Sequence, residues 1–269
     1  MKKINLCGYG LTDLENLMTQ MGQKNFTGRQ LFKWIYNLNI HDFNTMTNLS
    51  LALRERLGRQ YYFEAPKIRQ IQKSSDGTEK FLFELADGAL IESVLIPDHD
   101  RKTACVSTQV GCPLGCRFCA TGLMGFDRHL TPGEIVGQLI SLRKAHGKDA
   151  FNKLVFMGMG EPLLNYDNLL KSIEIISSEI GLSLSAKKMT VSTIGVIPQI
   201  YALADSGLKV NLAVSIHAAD NAQRAVLMPS AKAFPIEKIM DACRYFTTRR
   251  KKRVTFESVS YTHLRAHET

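Results

Sequence analysis

The 269-residue sequence predicts an α/β fold, a partial (β/α) barrel preceded by a small helical and β-hairpin region. Three observations predict it. From about residue 100 onward, apolar β-rich runs alternate with helical stretches, the pattern of a parallel sheet with helical crossovers. Residues 67–97 hold two β-rich runs around Asp87-Gly88, a hairpin signal. Gly160, Ser192 and His217 fall at the C-terminal ends of successive expected strands, where α/β barrels build their sites.

The elements follow in order. Residues 1 to about 60 read as helical: TDLENLMTQMG opens with Thr12 and Glu15 in capping-box spacing, and TGRQLFKWIYN with Thr27 and Gln30 in the same spacing. Leu31, Trp34 and Ile35 give the second helix one buried face. KFLFELADGALIESVLIP is the hairpin. TACVSTQV is expected as a strand leading into a cysteine loop. TPGEIVGQLISLRKAHG is a helix with Thr131 as N-cap, Pro132 in the first turn, Glu134 closing a capping box and Gly147 beyond the end. KLVFMGMG, KKMTVSTIG, LKVNLAVSIHA and RVTFESVS then read as strands, separated by the helices NLLKSIEIISSEIG, IPQIYALADSG and IEKIMDACRYFTT. The expected division is an accessory region at 1–97, an α/β core at 98–258 and a tail at 259–269.

The chain carries 34 Lys and Arg against 25 Asp and Glu, a net charge of +9, with 45% hydrophobic residues. That supports a core of ordinary size, and the positive balance favours an anionic partner, nucleic acid first. No run of about 18 apolar residues offers a membrane span. The start, MKKINLCGYG, lacks the apolar stretch of a secretory signal. The expected location is cytoplasmic, where cysteines stay reduced and a cysteine cluster points to metal or redox chemistry.

GCPLGCRFCATG, residues 111–122, holds Cys112, Cys116 and Cys119 in C-x3-C-x2-C spacing. A disulfide plus an odd cysteine is disfavoured by the compartment. A closed zinc site needs a fourth ligand, which His129 could supply. A 4Fe-4S cluster held by three thiolates leaves one iron open, as a catalytic centre requires. One expected strand later, FMGMGEPLLN places Gly158 and Gly160 where backbone could approach a ligand closely, with Glu161 able to accept from an ammonium group.

The three-cysteine spacing, with Phe118 before the last cysteine, resembles the radical S-adenosylmethionine (SAM) superfamily. The longer stretches CVSTQVGCPLGCRFCATGLMGFDRHLTPGEIVGQL, FMGMGEPLLNYDNLL, VSTIGVIPQI and LAVSIHAADNAQRAVLMP resemble, within it, the RNA adenine-C-methyltransferases of the dual-specificity RlmN type, over roughly residues 1–258. What that resemblance implies is methylation of carbon 2 of an adenine in 23S rRNA and in tRNA, with a 4Fe-4S cluster and SAM as cofactors. One SAM methylates a cysteine near the C-terminus. A second is cleaved to a 5′-deoxyadenosyl radical that activates this methyl group, and another cysteine resolves the protein–RNA adduct. The resemblance further implies an electron donor such as flavodoxin or ferredoxin, a monomer, and RNA contact by the accessory region, with the target base extruded from its stack.

Carried onto this sequence, Cys112, Cys116 and Cys119 match the cluster ligands, Cys105 the resolving cysteine and Glu92 a proton acceptor. Gly160, Glu161, Ser192, and Ser215, Ile216 and His217 of the SIH stretch match SAM contacts. His217 could equally be a satisfied buried histidine, and Cys105 and Glu92 could be core packing and a strand-face carboxylate. The basic run from Arg249 to Arg253 reads first as a solvated loop, with phosphate contact as the alternative. A sister type that methylates carbon 8 of the adenine, and a non-catalytic RNA- or cluster-binding remnant, are the rival functions.

The match stops at YTHLRAHET, which is expected to be a non-native tail; His263 and His267 within it are spaced i, i+4. The methyl-carrying cysteine is expected beyond this point, since Cys7 lies at the wrong end and Cys243 sits among apolar helix residues. The chain as written is therefore expected to bind a cluster without completing methyl transfer.

Overall fold

The structure, a computed structural model, describes residues 3–259. The tail histidines His263 and His267 lie outside the described residues. The N-terminal region comprises β1 (Ile4–Asn5), α1 (Leu11–Gln20), α2 (Asn25–Phe32), α3 (Leu51–Gln60) and β2 (Tyr61–Tyr62), which pairs parallel with β1. Both expected helices form, but neither begins where the spacing predicts. Gly10 caps α1, and its N–H donates to the Asp13 carboxylate at 2.7 Å. Lys24 occupies the cap of α2, which puts Thr27 inside the helix and buries it. The crossing explains the shift: a Cβ on Gly28 would lie 2.6 Å from Glu15 Cα, so the start of α2 is pressed onto α1 instead of facing solvent as a cap.

Next come β3 (Lys67–Lys73), β4 (Glu79–Glu84), β5 (Leu90–Asp98), β6 (Arg101–Cys105) and β7 (Gln109–Gly111). The turn between β4 and β5 is the expected one, with Gly88 at φ +86° and the Ala89 N–H donating to Asp87 Oδ1. The stretch expected as a single strand before the cysteines is broken into β6 and β7. Ser107 and Thr108, between them, donate their N–H groups to Gln138 Oε1 and the Met159 carbonyl, which pulls the backbone off the ladder.

The chain continues through α4 (Ala120–Leu123), β8 (Phe126–His129), α5 (Pro132–His146), β9 (Lys153–Phe156), α6 (Tyr166–Ser177), β10 (Met189–Thr193), α7 (Ile197–Asp205), β11 (Asn211–Ser215), α8 (Asn221–Leu227), α9 (Ile236–Arg250) and β12 (Val254–Glu257). The main sheet has the order β12-β11-β10-β9-β6-β5-β4-β3. Its five strands β6 and β9–β12 run parallel, as expected from the alternating pattern, and β3–β5 extend them antiparallel. Because β5 pairs with β6, the hairpin is continuous with the parallel sheet across residue 97. β7 and β8 form a separate antiparallel pair beneath the cysteine loop.

Helix α5 carries the expected capping box: Thr131 Oγ1 accepts from the Glu134 N–H, and the Glu134 carboxylate accepts from the Thr131 N–H at 2.8 Å. Apart from Glu134, its residues from Gly133 to Leu142 are buried, since it lies between the sheet and the N-terminal region. Two contacts fit only glycine. A Cβ on Gly133 would lie 2.3 Å from the Cys7 carbonyl oxygen, and one on Gly137 would lie 2.4 Å from Pro66 Cδ. The accessory region is thereby seated against the core. Among the described residues no helix is long and apolar enough to cross a membrane.

Candidate active site

Register sets the chemistry on one face. Cys105 on β6 opposes Val155, Val155 opposes Thr190, Ser192 opposes Ala213, and Ser215 opposes Glu257. Side chains alternate along a strand, so Cys105, Ser192, Ser215 and Glu257 share one face of the sheet. Val94 opposes Cys105, which puts Glu92 on that face as well.

A cavity of about 260 Å³ opens at the C-terminal ends of the parallel strands. It is lined by Cys112, Cys116 and Cys119 from the cysteine loop, Gly160 and Glu161 after β9, Ser192 on β10, and Ser215 and His217 at the end of β11. Eight of the residues picked out in the sequence thus meet in one place. Among the described residues no Lys or Arg lines it. A larger cavity, about 920 Å³, lies between the N-terminal region and the hairpin, but its acids are paired, Asp87 and Glu134 with Arg128, Glu64 with Lys67 and Glu84 with Arg69.

The cysteine loop is turned by glycines. Gly111, Gly115 and Gly125 have φ of +73°, +62° and +79°, and a Cβ on Gly111 would lie 2.0 Å from the Gly125 carbonyl oxygen. The Cys112 N–H donates to that carbonyl at 2.8 Å and the Arg117 N–H to Leu227 on α8. Burial raises the Cys116 thiol pKa to about 11, with Cys112, Cys119 and Glu161 adding like charge. Cys112 is raised for the same reasons, burial first. Cys112 and Cys116, with Cys119 beside them, are a donor set that awaits positive charge. Among the described residues no three Cys, His, Asp or Glu side chains lie close enough to hold a single ion; the thiols instead rim a space wider than one ion. His129, the side chain that could complete a zinc set, stands on β8 with Nδ1 3.0 Å from Gln109 Nε2.

Glu161 is buried, and its two oxygens accept from the Leu163 N–H (3.1 Å) and the Ile194 N–H (2.9 Å). Burial raises its pKa to about 7 against the opposing pull of these donors and of the Thr193 hydroxyl. Its own N–H donates to Gln109 Oε1 at 2.8 Å. The glycines around it are also required by packing: a Cβ on Gly160 would lie 2.5 Å from Gln109 Cβ, and one on Gly158 would lie 2.7 Å from Ser107 Oγ.

His217 sits at φ +59°, its Nδ1 accepts from the Val259 N–H at 2.9 Å, and its ring meets Phe118 edge-on at 4.6 Å. Burial and the nearby Arg224 charge lower its pKa. The ring is therefore neutral, with Nε2 carrying the hydrogen. Ile216 does not line the cavity; its N–H ties β11 to the Glu257 carbonyl at 3.0 Å.

Two site candidates lie on the same face outside the cavity lining. Cys105 is buried at the end of β6, and desolvation raises its pKa to about 11. Glu92 is half-exposed and pairs with Lys80 Nζ at 2.9 Å, so the partial burial expected from its apolar neighbours is met by an ion pair on the adjacent strand. The Ser107 hydroxyl donates to the Glu92 carbonyl at 2.5 Å, linking this strand to the glutamate loop. All six cysteines are free thiols.

Sequence reasoning missed Gln109, Arg224 and Glu257. Arg224 is fully buried on α8 and donates to the Phe234, Ile194 and Ser215 carbonyls, tying α8 to the ends of β10 and β11. For Glu257 a signal was present: a charged residue closing the apolar run VTF, at the strand end where the other strands carry their site residues.

Comparison with known proteins agrees with this geometry. Residues 4–62 match the ribosomal RNA large subunit methyltransferase N-terminal domain, and residues 106–263 match the Radical SAM superfamily. A probable dual-specificity RNA methyltransferase RlmN of Dictyoglomus thermophilum is 43% identical over 257 residues, covering 95% of this chain and 74% of that protein. The dual-specificity RNA methyltransferase RlmN of Syntrophus aciditrophicus is 43% identical over 96% of this chain and 74% of its own length. The crystal structure of a radical SAM methyltransferase from Sphaerobacter thermophilus superposes with a TM-score of 0.89 at 38% identity, over 97% of this chain and 77% of that one.

Proposed function

This chain belongs to the RlmN family of radical SAM RNA methyltransferases, and from that premise we propose that its strand-end cavity holds a 4Fe-4S cluster and SAM for methylation of adenine carbon 2 in 23S rRNA and tRNA. The observation that carries the reading is the meeting of three thiols with Glu161, Ser192, Ser215 and His217 in one cavity.

The residues fit both groups. Cys112, Cys116 and Cys119 would hold the cluster, and with no fourth protein ligand beside them among the described residues one iron would be left open to a substrate. SAM carries a sulfonium and an ammonium, and among the described residues the cavity lining offers the carboxylates of Glu161 and Glu257 and no Lys or Arg. Bound there, the cluster supplies the electron that converts SAM into an organic radical. Glu161 is placed for the ammonium, and a cation beside it would return its raised pKa toward the ordinary range. Its carboxylate also bridges the loop after β9 to the end of β10, so ligand binding there fixes two strand ends together. His217, neutral, presents an N–H donor. Cys105 and Glu92, on the same sheet face, would act on the RNA adduct as resolving thiol and proton acceptor. At a pKa of about 11 the Cys105 thiol is protonated near neutral pH, so its attack needs a base or a neighbouring positive charge.

Cys7 and Cys243 are poor methyl carriers. Cys7 donates its thiol hydrogen to the Gly133 carbonyl, and Cys243 is buried on α9. The expected substrates are 23S rRNA and tRNA, the expected reductant a flavodoxin or ferredoxin, and the expected form a monomer working in the cytoplasm.

The test is anaerobic reconstitution of the protein with iron and sulfide, then incubation with SAM, reductant and 23S rRNA or tRNA. Formation of 5′-deoxyadenosine that disappears in Cys116→Ala supports the cofactor reading; none from cluster-loaded protein overturns it. In the digested RNA, 2-methyladenosine supports carbon 2 and 8-methyladenosine overturns it. Unmodified RNA beside 5′-deoxyadenosine is the outcome if the methyl carrier is not among these six cysteines.

A further inference from the structure

Arg224 is a buried cation that no step of the proposed chemistry uses. It lies on α8 with 1% of its surface exposed. Its guanidinium donates to the Phe234 carbonyl at 2.7 Å, to the Ile194 carbonyl, and at 3.5 Å to the Ser215 carbonyl. These acceptors are all neutral, and Nε is buried without an acceptor among the described residues. No ion pair among the described residues includes it. A guanidinium keeps its proton, and a buried charge is costly unless an opposite charge answers it. Bracing carbonyls needs only N–H donors, so the brace does not account for the charge.

The surroundings of Arg224 do. Ile194 and Ser215 line the cavity and Arg224 does not, so the guanidinium stands directly behind the cavity wall. The helix that carries it, and the turn that follows, are bonded to the cysteine loop on both sides of Cys116. The Arg117 N–H donates to the Leu227 carbonyl at 2.8 Å, and Ser230 Oγ donates to the Leu114 carbonyl at 2.9 Å. Burial lowers the Arg224 pKa, with negative charge on Cys116 pulling the other way.

We propose that Arg224 is the built-in countercharge of the cluster held by Cys112, Cys116 and Cys119, and that its field makes this cluster easier to reduce. This rests on the cluster reading of the cysteine loop proposed above. Three thiolates outweigh the positive charge of a 4Fe-4S core, so the loaded loop is anionic. Reduction adds one electron from an external donor of the flavodoxin or ferredoxin class, with no bond made or broken and no proton moved. A fixed cation nearby therefore stabilises the reduced form more than the oxidised one, and local charge is one of the levers that set a cluster's potential. Arg224 acts through this field, not by contact with a ligand.

The experiment is an anaerobic redox titration of cluster-loaded protein, followed by visible absorbance and by the electron paramagnetic resonance signal of the reduced cluster. Arg224→Gln keeps N–H donors for the carbonyls and loses the charge; Arg224→Lys keeps the charge and loses the planar fork. At the potential that half-reduces the wild type, the ratio of reduced to oxidised cluster in Arg224→Gln falls about tenfold, the scale of one buried charge acting beyond contact. For one electron that is a shift of about 59 mV to lower potential. Arg224→Lys stays near the wild type. A purely structural role gives the opposite sign, because a loosened wall admits water, which favours the more highly charged reduced form and raises the potential. An unchanged or raised potential in Arg224→Gln, or an equal fall in both variants, overturns the assignment. If Arg224→Gln retains no iron while Arg224→Lys loads fully, the charge is needed to hold the thiolates together and the assignment stands. Loss of iron from both variants overturns it and leaves Arg224 a brace. Wild-type protein that takes up no reducible cluster fails the cluster reading itself, a result distinct from these.

Discussion

The cysteine loop at 111–126 and the glutamate loop at 157–165 face each other across one cavity, and they are held in opposite ways. The glutamate loop is stapled by buried polar side chains: Ser107 Oγ accepts from the Met159 N–H, Gln109 Oε1 from the Glu161 N–H, and Asn165 Nδ2 donates to the Thr108 and Leu130 carbonyls. Gln138 on α5 closes the set, accepting from the Ser93 hydroxyl and the Ser107 N–H. The cysteine loop is shaped mainly by backbone hydrogen bonds and left-handed glycines, and it leaves Leu123, Met124 and Phe126 exposed. One side of the cavity is preorganised by the fold. The other takes its final order from what its thiols bind, because metal binding and local folding share one free energy.

The comparison breaks most completely at Cys116. Cys116→Ala removes one of three thiolates, and the variant is expected to retain essentially no cluster after reconstitution, measured as protein-bound iron and visible absorbance. Cys243→Ala, far from the cavity, is expected to load as wild type. Equal iron in the two variants would mean that the loop is not the binding site.

The stapled side should break through stability instead. At Gly160, φ is +101° and a Cβ would lie 2.5 Å from the Cβ of buried Gln109, an atom with no freedom to swing away. Gly160→Ala combines backbone strain with overpacking and should cost about 4 kcal/mol in urea unfolding of cluster-free protein. Gly115→Ala, at φ +62° on the cysteine side with open space around it, should cost about 1 kcal/mol from strain alone. A reversed order would overturn the contrast.

How much of this was legible in the sequence follows the same divide. The cysteine loop and the Thr131 capping box could be read directly, because a ligand spacing and a cap are local and need only their own residues. So could the strand-end placement of Ser192 and His217, since alternation and strand order fix it. The staple could not. Gln138 reads as the polar face of a helix, yet α5 is covered by the sheet on one side and the N-terminal region on the other, and Gln138 bonds to Ser93 and Ser107. Gln109 and Ser107 read as strand residues, yet they interrupt the strand. Glycines 158 and 160 suggested ligand approach; that Val106 and Ser107 pack on the first and the Gln109 side chain on the second could not be read from the sequence. The caps of α1 and α2 were misplaced because the crossing at Gly28 outweighs a local cap signal. In each case the deciding partner is distant in sequence.

A pH series sharpens the comparison on the glutamate side. The Glu161 carboxyl has a folded pKa of about 7 against an ordinary 4.5. The fold therefore holds its proton more tightly than the unfolded chain does. Below about pH 4.5 both states are protonated and this contribution to stability is complete; it is lost as pH rises through 7. The loss is on the order of 3 kcal/mol for a shift of this size. Cluster-free wild type should lose stability between pH 5 and pH 8 relative to Glu161→Gln, whose amide does not titrate. Parallel curves for the two proteins would show that the buried carboxyl is not raised.

The smallest effect is expected at the feature that looked most conspicuous in the charge pattern. The basic run that ends α9 and leads into β12 is largely spent within the fold. Arg249 Nε meets Asp205 at 3.0 Å, Arg250 donates to the Gly207 and Leu208 carbonyls, and Lys252 donates to the Lys209 carbonyl at 2.5 Å and to Asn211 at 2.9 Å. These cations close the loop that enters β11, the strand that ends in Ser215 and His217. Arg249→Ala loses an exposed pair and should cost at most about 0.5 kcal/mol. Arg250→Ala leaves two carbonyls without their donor and should cost about 1 kcal/mol. Neither should change the slope of RNA affinity against salt, whereas a residue in direct phosphate contact would lower that slope by about one counterion. A drop in slope for Arg250→Ala with unchanged thermal stability would reverse the assignment and make the run part of an RNA-binding face. The expected pairing, lower stability with the same slope, would leave RNA contact to other basic side chains and make the run a brace for the strand ends that form the preorganised side of the cavity.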